Sequence, residues 1–103
     1  MADGLLEQLI ASAGPPLRFL RDGDATQRAR TRVPVRVWHE RLGGVRAALE
    51  GVTESTTITA LARLPVVFER LGASGVPPDE RGALAAEALD LLEALRASSP
   101  AAL

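Results

Sequence analysis

The sequence predicts an all-α fold, a small compact bundle of four to five helices in a single domain. Its 103 residues are enough for one hydrophobic core and too few for two. The apolar residues are almost all Leu, Ala, Val and Ile, and the only aromatic residues are Phe19, Trp38 and Phe68. This composition favours helices packed on helices over an aromatic-rich sheet.

Two helices are predicted at the start of the chain. The first spans about Gly4–Ala13, with Asp3 as its N-cap, because Leu and Ile recur there on one helical face. Pro15 and Pro16 follow, and we expect them to end this helix, because proline lacks a backbone N–H and clashes with the preceding turn. Pro16 suits the first position of a short second helix that ends at Asp22.

A further short helix is predicted to begin at Ala25. Asp24 is followed three residues later by Gln27, which is the spacing of a capping box, in which each side chain accepts a hydrogen bond from the other residue's backbone N–H. The helix has little apolar surface to bury, so we expect it to be weakly held.

The stretch Thr31–Val37 is compatible with either a β-strand or the start of a helix. Its valines alternate with polar residues as in a β-strand. From Trp38 onward, however, apolar residues follow at spacings of four, three, four and three, which is the period of a helix. This seam keeps its phase through Gly43 and Gly44, so the sequence predicts one helix over about Pro34–Glu50.

The next helix is expected to begin at a cap supplied by Thr53, Ser55 or Thr56. Its predicted core seam consists of Ile58, Leu61, Leu64 or Pro65, Phe68 and Leu71. Pro65 removes one intrahelical hydrogen bond, so we expect a kink, or two helices that meet near Leu64.

The last helix is predicted to run to about Ala97. Asp79 and Glu80 fall in its first turn, where the helix dipole favours acids. Its predicted core stripe consists of Leu84, Ala88, Leu91 and Leu95, widened by Leu92. We expect residues 1–97 to form the domain and residues 98–103 to be a frayed tail.

Composition argues against several classes of protein. The chain has no Cys, so neither a disulfide framework nor a thiolate metal site is expected. No run approaches about 18 apolar residues, the length of a membrane span. Asp3 and Glu7 stand where a signal peptide would carry positive charge. The sequence thus predicts a cytoplasmic protein that makes no membrane contact.

No catalytic, cofactor-binding or metal-binding residues are predicted. The only histidine, His39, is followed by Glu40, but adjacent residues do not face each other on a helix. The chain has no nucleophile elbow and no Gly-rich phosphate loop followed by Lys. We therefore expect a non-enzymatic protein without a cofactor.

One segment of the chain is strongly basic. Residues 25–49 contain six Arg and one acid, whereas the whole chain has a net charge of −1. Three of these arginines are spaced by four, which places them on the same side of either a helix or a strand. The candidate contacts to a partner or to phosphates are Arg28, Arg30, Arg32, Arg36, Trp38, His39 and Arg41. In a nucleic-acid complex, Trp38 would stack on a base.

Two functions are consistent with these features. The first is a protein–protein interaction or assembly module, in which apolar helix faces bind a protein partner or a second copy and the arginines form a charged rim. Val66, Val67 and Leu89 lie off the main seams and would widen such faces. The second is a nucleic-acid-associated protein that contacts phosphates through the segment Arg28–Arg41. The acidic balance of the remaining chain favours the first.

Overall fold

The computed structural model describes residues 4–98, and within this range the chain forms five α-helices and no strand. They are α1 (Leu5–Asp22), α2 (Ala25–Arg30), α3 (Val35–Ala48), α4 (Ser55–Gly72) and α5 (Pro78–Ser98). The all-α prediction is confirmed, and the strand template for Thr31–Val37 is wrong. The N-cap of α1 is Gly4, in place of the predicted Asp3, which lies outside the described residues. Of the predicted tail 98–103, Ser98 belongs to α5, and residues 99–103 lie outside the described residues.

Helices α1, α3, α4 and α5 form a four-helix bundle in which neighbouring helices pack in the ring α1, α3, α4, α5. Helices α4 and α5 are antiparallel, because Arg63 pairs with Glu87 while Arg70 pairs with Glu80. The short helix α2 packs across α5 and the end of α1. Consecutive antiparallel helices with short connections are the usual arrangement of such bundles.

A single core occupies the centre of the bundle. Its largest buried side chains are Trp38 and Phe68, whose ring centroids lie 5.4 Å apart. The buried seams are Leu6, Leu9, Ala13, Leu17 and Leu20 of α1, Trp38, Leu42 and Val45 of α3, Ala60, Leu64, Val67, Phe68 and Leu71 of α4, and Leu84, Ala85, Ala88, Leu92 and Leu95 of α5. Helix α2 contributes no buried residue, as its sequence predicts.

Helix α1 continues through Pro15 and Pro16, so the predicted division into two helices is wrong. The buried residues of α1 keep spacings of three and four on both sides of the prolines, and they hold both halves against one core. Pro15 is itself exposed. Burial of a continuous seam therefore outweighs the lost backbone hydrogen bonds, a cost of about 3 kcal/mol for a proline inside a helix.

The predicted cap of α2 and the continuity of α3 are confirmed. Asp24 Oδ1 accepts a hydrogen bond from the Gln27 N–H at 2.8 Å, and Gln27 Oε1 accepts one from the Asp24 N–H at 2.9 Å. Helix α3 runs without interruption through Gly43 and Gly44. The chain then turns at Gly51, whose φ of 91° lies in the region that favours glycine.

Helix α4 continues through Pro65, so the predicted alternative of two separate helices is wrong. Pro65 has no N–H to donate to the carbonyl of Leu61, four residues earlier. Arg46 of α3 donates to that carbonyl instead, through Nη2 at 2.8 Å. An arginine of the neighbouring helix thus replaces the missing backbone donor.

The first half of α4 buries a different face from the predicted one. Thr57 and Ala60 are buried, whereas Ile58 is 51% exposed. The hydroxyl groups of Thr57 and Ser98 share a hydrogen bond of 2.7 Å, which satisfies the buried threonine. The N-cap is Glu54, without a side-chain cap, in place of the predicted threonine or serine.

Helix α5 agrees closely with its prediction. It begins at Pro78 and ends at Ser98, one residue beyond the predicted end. Leu92 is buried and Leu91 is half-buried, so the core stripe is rotated slightly from the predicted one. None of the five helices described has the length and apolar character needed to cross a membrane.

Candidate functional site

Arg28 of the basic segment is turned towards the inside of the fold. Its Nε donates to the carbonyl of Leu20 at 2.7 Å and its Nη2 to the carbonyl of Arg21 at 2.6 Å. Its Nη1 lies 3.7 Å from Oδ1 of Asp79. The last carbonyls of a helix have no intrahelical donor, so Arg28 closes the end of α1.

Gly82 of α5 makes room for the guanidinium of Arg28. A Cβ atom at position 82 would lie 2.5 Å from Cζ and 2.6 Å from Nε of Arg28. Such distances are shorter than van der Waals contact, so the capping position of Arg28 requires a residue without a side chain in α5.

Arg81 lies beside this contact and is only 9% exposed. Its guanidinium donates through Nη1 to the carbonyl of Arg28 and through Nη2 to the carbonyl of Thr31, the latter at 2.7 Å. It forms no ion pair with a carboxylate of residues 4–98. Arg81 therefore ties the end of α2 to α5, while its positive charge has no acidic partner in the part of the chain that the structure describes.

Sequence reasoning missed Arg81, although the sequence contains one weak signal. Arg81 lies in the first turn of α5, where the helix dipole disfavours a cation. The carbonyl groups at the end of α2 offset this cost. Because those partners are 50 or more residues away in the sequence, spacing alone does not identify them.

The predicted aromatic contact, Trp38, lies in the core. It is fully buried against Phe68, and its Nε1 has no hydrogen-bond partner among the described residues. No base can stack on a ring in this position. His39 is half-buried, with its ring edge-on to Phe68 at a centroid distance of 5.8 Å.

The other four candidate arginines are exposed on different elements. Arg30 ends α2, Arg32 lies in the connector between α2 and α3, and Arg36 and Arg41 lie on α3. Arg36 is paired with Glu40, four residues later, at 3.9 Å. Residues 31–34 between α2 and α3 are not helical, so the spacing of four does not place Arg28, Arg32 and Arg36 on one helix face. Arg28 is also held at the end of α1 by its hydrogen bonds.

Arg30 and Arg32 line a cleft that also contains Arg81. This arginine cleft has a volume of about 710 Å³ and lies between the α2–α3 connector and the α4–α5 loop. It is lined by residues 29–33, residues 71–76 and Arg81. No acid occurs among its lining residues, so it concentrates three positive charges.

A second distinctive surface lies on the outside of α4. Ile58 and Val66 are each 51% exposed, and Ala62 between them is exposed as well. Residues four apart lie on the same face of a helix. We call Ile58, Ala62 and Val66 the α4 stripe.

The carboxylates of α5 that face α4 are engaged in ion pairs. A bidentate hydrogen bond from Arg63 lowers the pKa of Glu87, and one from Arg70 lowers the pKa of Glu80. Both acids are therefore held in the charged form. Within residues 4–98 no group of three or more His, Cys, Asp or Glu side chains is placed to hold a metal ion.

Comparisons of the chain with protein-family models, with curated proteins and with solved structures found no match.

Proposed function

We propose that this protein is a non-enzymatic interaction module that self-associates through the α4 stripe. The observation that supports this most strongly is the inversion at the start of α4, where Thr57 is buried and the larger, apolar Ile58 is left exposed. Burial of an isoleucine stabilises a protein by about 1.5–3 kcal/mol. The monomer does not obtain this stabilisation, because α4 is oriented with Ile58 in solvent. The same orientation becomes favourable when a partner covers Ile58.

The partner that fits the stripe is a second copy of the same chain. Ile58, Ala62 and Val66 are evenly spaced and read large, small, large, so the stripe is complementary to itself when two copies of α4 run antiparallel. Ile58 of one copy then meets Val66 of the other, and Ala62 lies on the two-fold axis. Such an isologous contact is the commonest form of oligomer, and small residues at the crossing point allow helices to approach closely.

The α4 stripe is flanked by a charged group that would form part of the interface rim. Arg46 reaches the carbonyl of Leu61, which lies next to Ala62, so its guanidinium is held beside the stripe. The proposed interface consists of the α4 stripe alone on each copy, so the buried area is small. We expect a weak dimer with a Kd of about 10 µM to 1 mM.

Sedimentation equilibrium over a concentration series up to about 1 mM tests this proposal. The average mass of the wild-type chain is expected to rise with concentration towards that of a dimer, whereas the double variant Ile58→Ser/Val66→Ser should remain a monomer. Both positions are half exposed in the monomer, so both substitutions should leave the fold intact. Phe19→Ser, which alters a side chain 48% exposed on α1, is the matched control and should dimerise like the wild type.

Two results would overturn self-association through α4. One is a wild-type chain that stays monomeric across the whole concentration series. The other is an equal loss of dimer in the Phe19→Ser control, which would place the contact elsewhere or make it non-specific.

For the alternative function, binding to nucleic acid, fewer of the predicted contact residues are accessible. Arg28 is committed to the end of α1 and Trp38 to the core, which leaves Arg30, Arg32, Arg36 and Arg41 exposed. Phosphate contacts make affinity fall steeply with salt. Titration of a mixed-sequence oligonucleotide at low and at moderate salt therefore distinguishes this alternative from the proposed module.

A further inference from the structure

We propose that the arginine cleft binds a small polyvalent oxyanion, a molecule that carries phosphate or several carboxylate groups. The cleft lies where the α2–α3 connector meets the α4–α5 loop. Its ligand would be held by the exposed Arg30 and Arg32 and would lie in the field of the buried Arg81.

The charge of the cleft is the first argument. Arg30, Arg32 and Arg81 line it, and no Asp or Glu among the described residues does. None of the three forms an ion pair with a carboxylate of the described residues. Of the three, Arg81 is buried, and although it donates to two backbone carbonyls, its charge lacks a counter-ion among the described residues. A buried charge without a counter-ion is costly, and an anion in the cleft would relieve that cost.

The contrast with other arginines of the chain is the second argument. Arg63 and Arg70 are each paired with a glutamate on α5, and Arg96 is paired with Glu7 on α1. These side chains have their acidic partners within the fold. Arg18, Arg41 and Arg46 also form no ion pair with the described carboxylates. The cleft arginines differ from these three because they line one common cleft.

The dimensions and polar groups of the cleft are the third argument. A volume of about 710 Å³ lies within the range of small-molecule sites, about 300–1,000 Å³. Ser74 also lines the cleft and is exposed, and its hydroxyl is a group that can donate to an oxyanion. Guanidinium groups bind phosphate and carboxylate through two parallel hydrogen bonds.

This inference does not depend on the α4 stripe. The cleft involves Leu71 and Gly72 at the C-terminal end of α4, whereas the stripe ends at Val66. Loss of dimer and loss of anion binding are therefore separate results, obtained with different variants.

Isothermal titration of the full chain at low salt, with pyrophosphate in one arm and citrate in the other, tests the proposal. We expect one saturable site per chain for at least one probe, and the arm that binds more tightly identifies phosphate or carboxylate as the preferred group. The double variant Arg30→Gln/Arg32→Gln should bind at least about tenfold more weakly, because two charge-assisted hydrogen-bond donors are removed. Both positions are exposed, so the fold should persist.

The matched control is Arg36→Gln/Arg41→Gln, which changes the net charge equally at exposed positions that do not line the cleft. It should bind the probe within about twofold of the wild type, because charge at a distance is screened by salt. Equal weakening in the two double variants would overturn the proposal, since it would indicate attraction to net charge alone. Absence of saturable binding of either probe would also overturn it.

Discussion

Arginines at neighbouring positions of this chain have different roles, and their spacing does not reveal which is which. Arg28 donates to the last carbonyls of α1, whereas Arg30, two residues later, is exposed and lines the arginine cleft. Arg81 is buried and tied to the backbone of α2 and its connector. Burial and backbone partners therefore separate the arginines that hold the fold from those that are free to bind.

Replacement of Arg28 by Ala is expected to lower the free energy of unfolding by about 1–3 kcal/mol, because two charge-assisted hydrogen bonds to the end of α1 are lost. Replacement of Arg30 by Ala should change it by less than about 0.5 kcal/mol. Urea denaturation of the two variants, followed through the fluorescence of Trp38, measures the difference. Equal effects of the two substitutions would show that Arg28 does not cap α1.

Two elements of the bundle contain prolines, and each stays continuous for its own reason. In α1 the apolar seam on both sides of Pro15 and Pro16 faces one core. In α4 the apolar seam also faces the core, and in addition Arg46 donates a hydrogen bond to the carbonyl of Leu61, which Pro65 leaves free. The cost of an internal proline thus depends on what the surrounding fold offers to the unpaired carbonyl.

A double-mutant cycle tests the role of Arg46. In the wild-type chain, Arg46→Ala is expected to lower the free energy of unfolding by about 1 kcal/mol. In a Pro65→Ala background, residue 65 donates its own N–H to Leu61, so the same substitution should cost much less. The unfolding free energies of the four proteins give the coupling energy between positions 46 and 65. Strictly additive effects would show that Arg46 does not replace the missing N–H of residue 65.

The elements also show which parts of the fold are predictable from sequence. The capping box of α2 and the seam of α3 involve residues a few positions apart, so local spacing identifies them. In α4, the carbonyl that Pro65 leaves free accepts from Arg46, which is 15 residues away from Leu61 in the sequence. Local spacing does not predict this contact. The arginine cleft combines segments that are still further apart, so the sequence indicates its exposed arginines as candidates but does not indicate Arg81.

At the scale of the whole molecule, the bundle places most of its apolar side chains in one core. The large apolar residues that remain substantially exposed among those described are Leu5, Phe19, Val37, Ile58 and Val66. Leu5 and Phe19 lie near opposite ends of α1, and Val37 lies on α3. Only Ile58 and Val66 are two turns apart on one face, with an exposed alanine between them, which is why we place the interface on α4.

The proposed dimer can be tested through a cysteine at its two-fold axis, because the natural chain contains no Cys. In the variant Ala62→Cys, the new thiol would meet the same thiol of the second copy, at the close approach that a disulfide requires. Oxidation at a protein concentration near the expected Kd should therefore yield a covalent dimer far faster than in the control Ala83→Cys, whose thiol would be exposed on α5. Equally slow dimer formation by the two variants, measured on non-reducing gels, would contradict self-association through the α4 stripe.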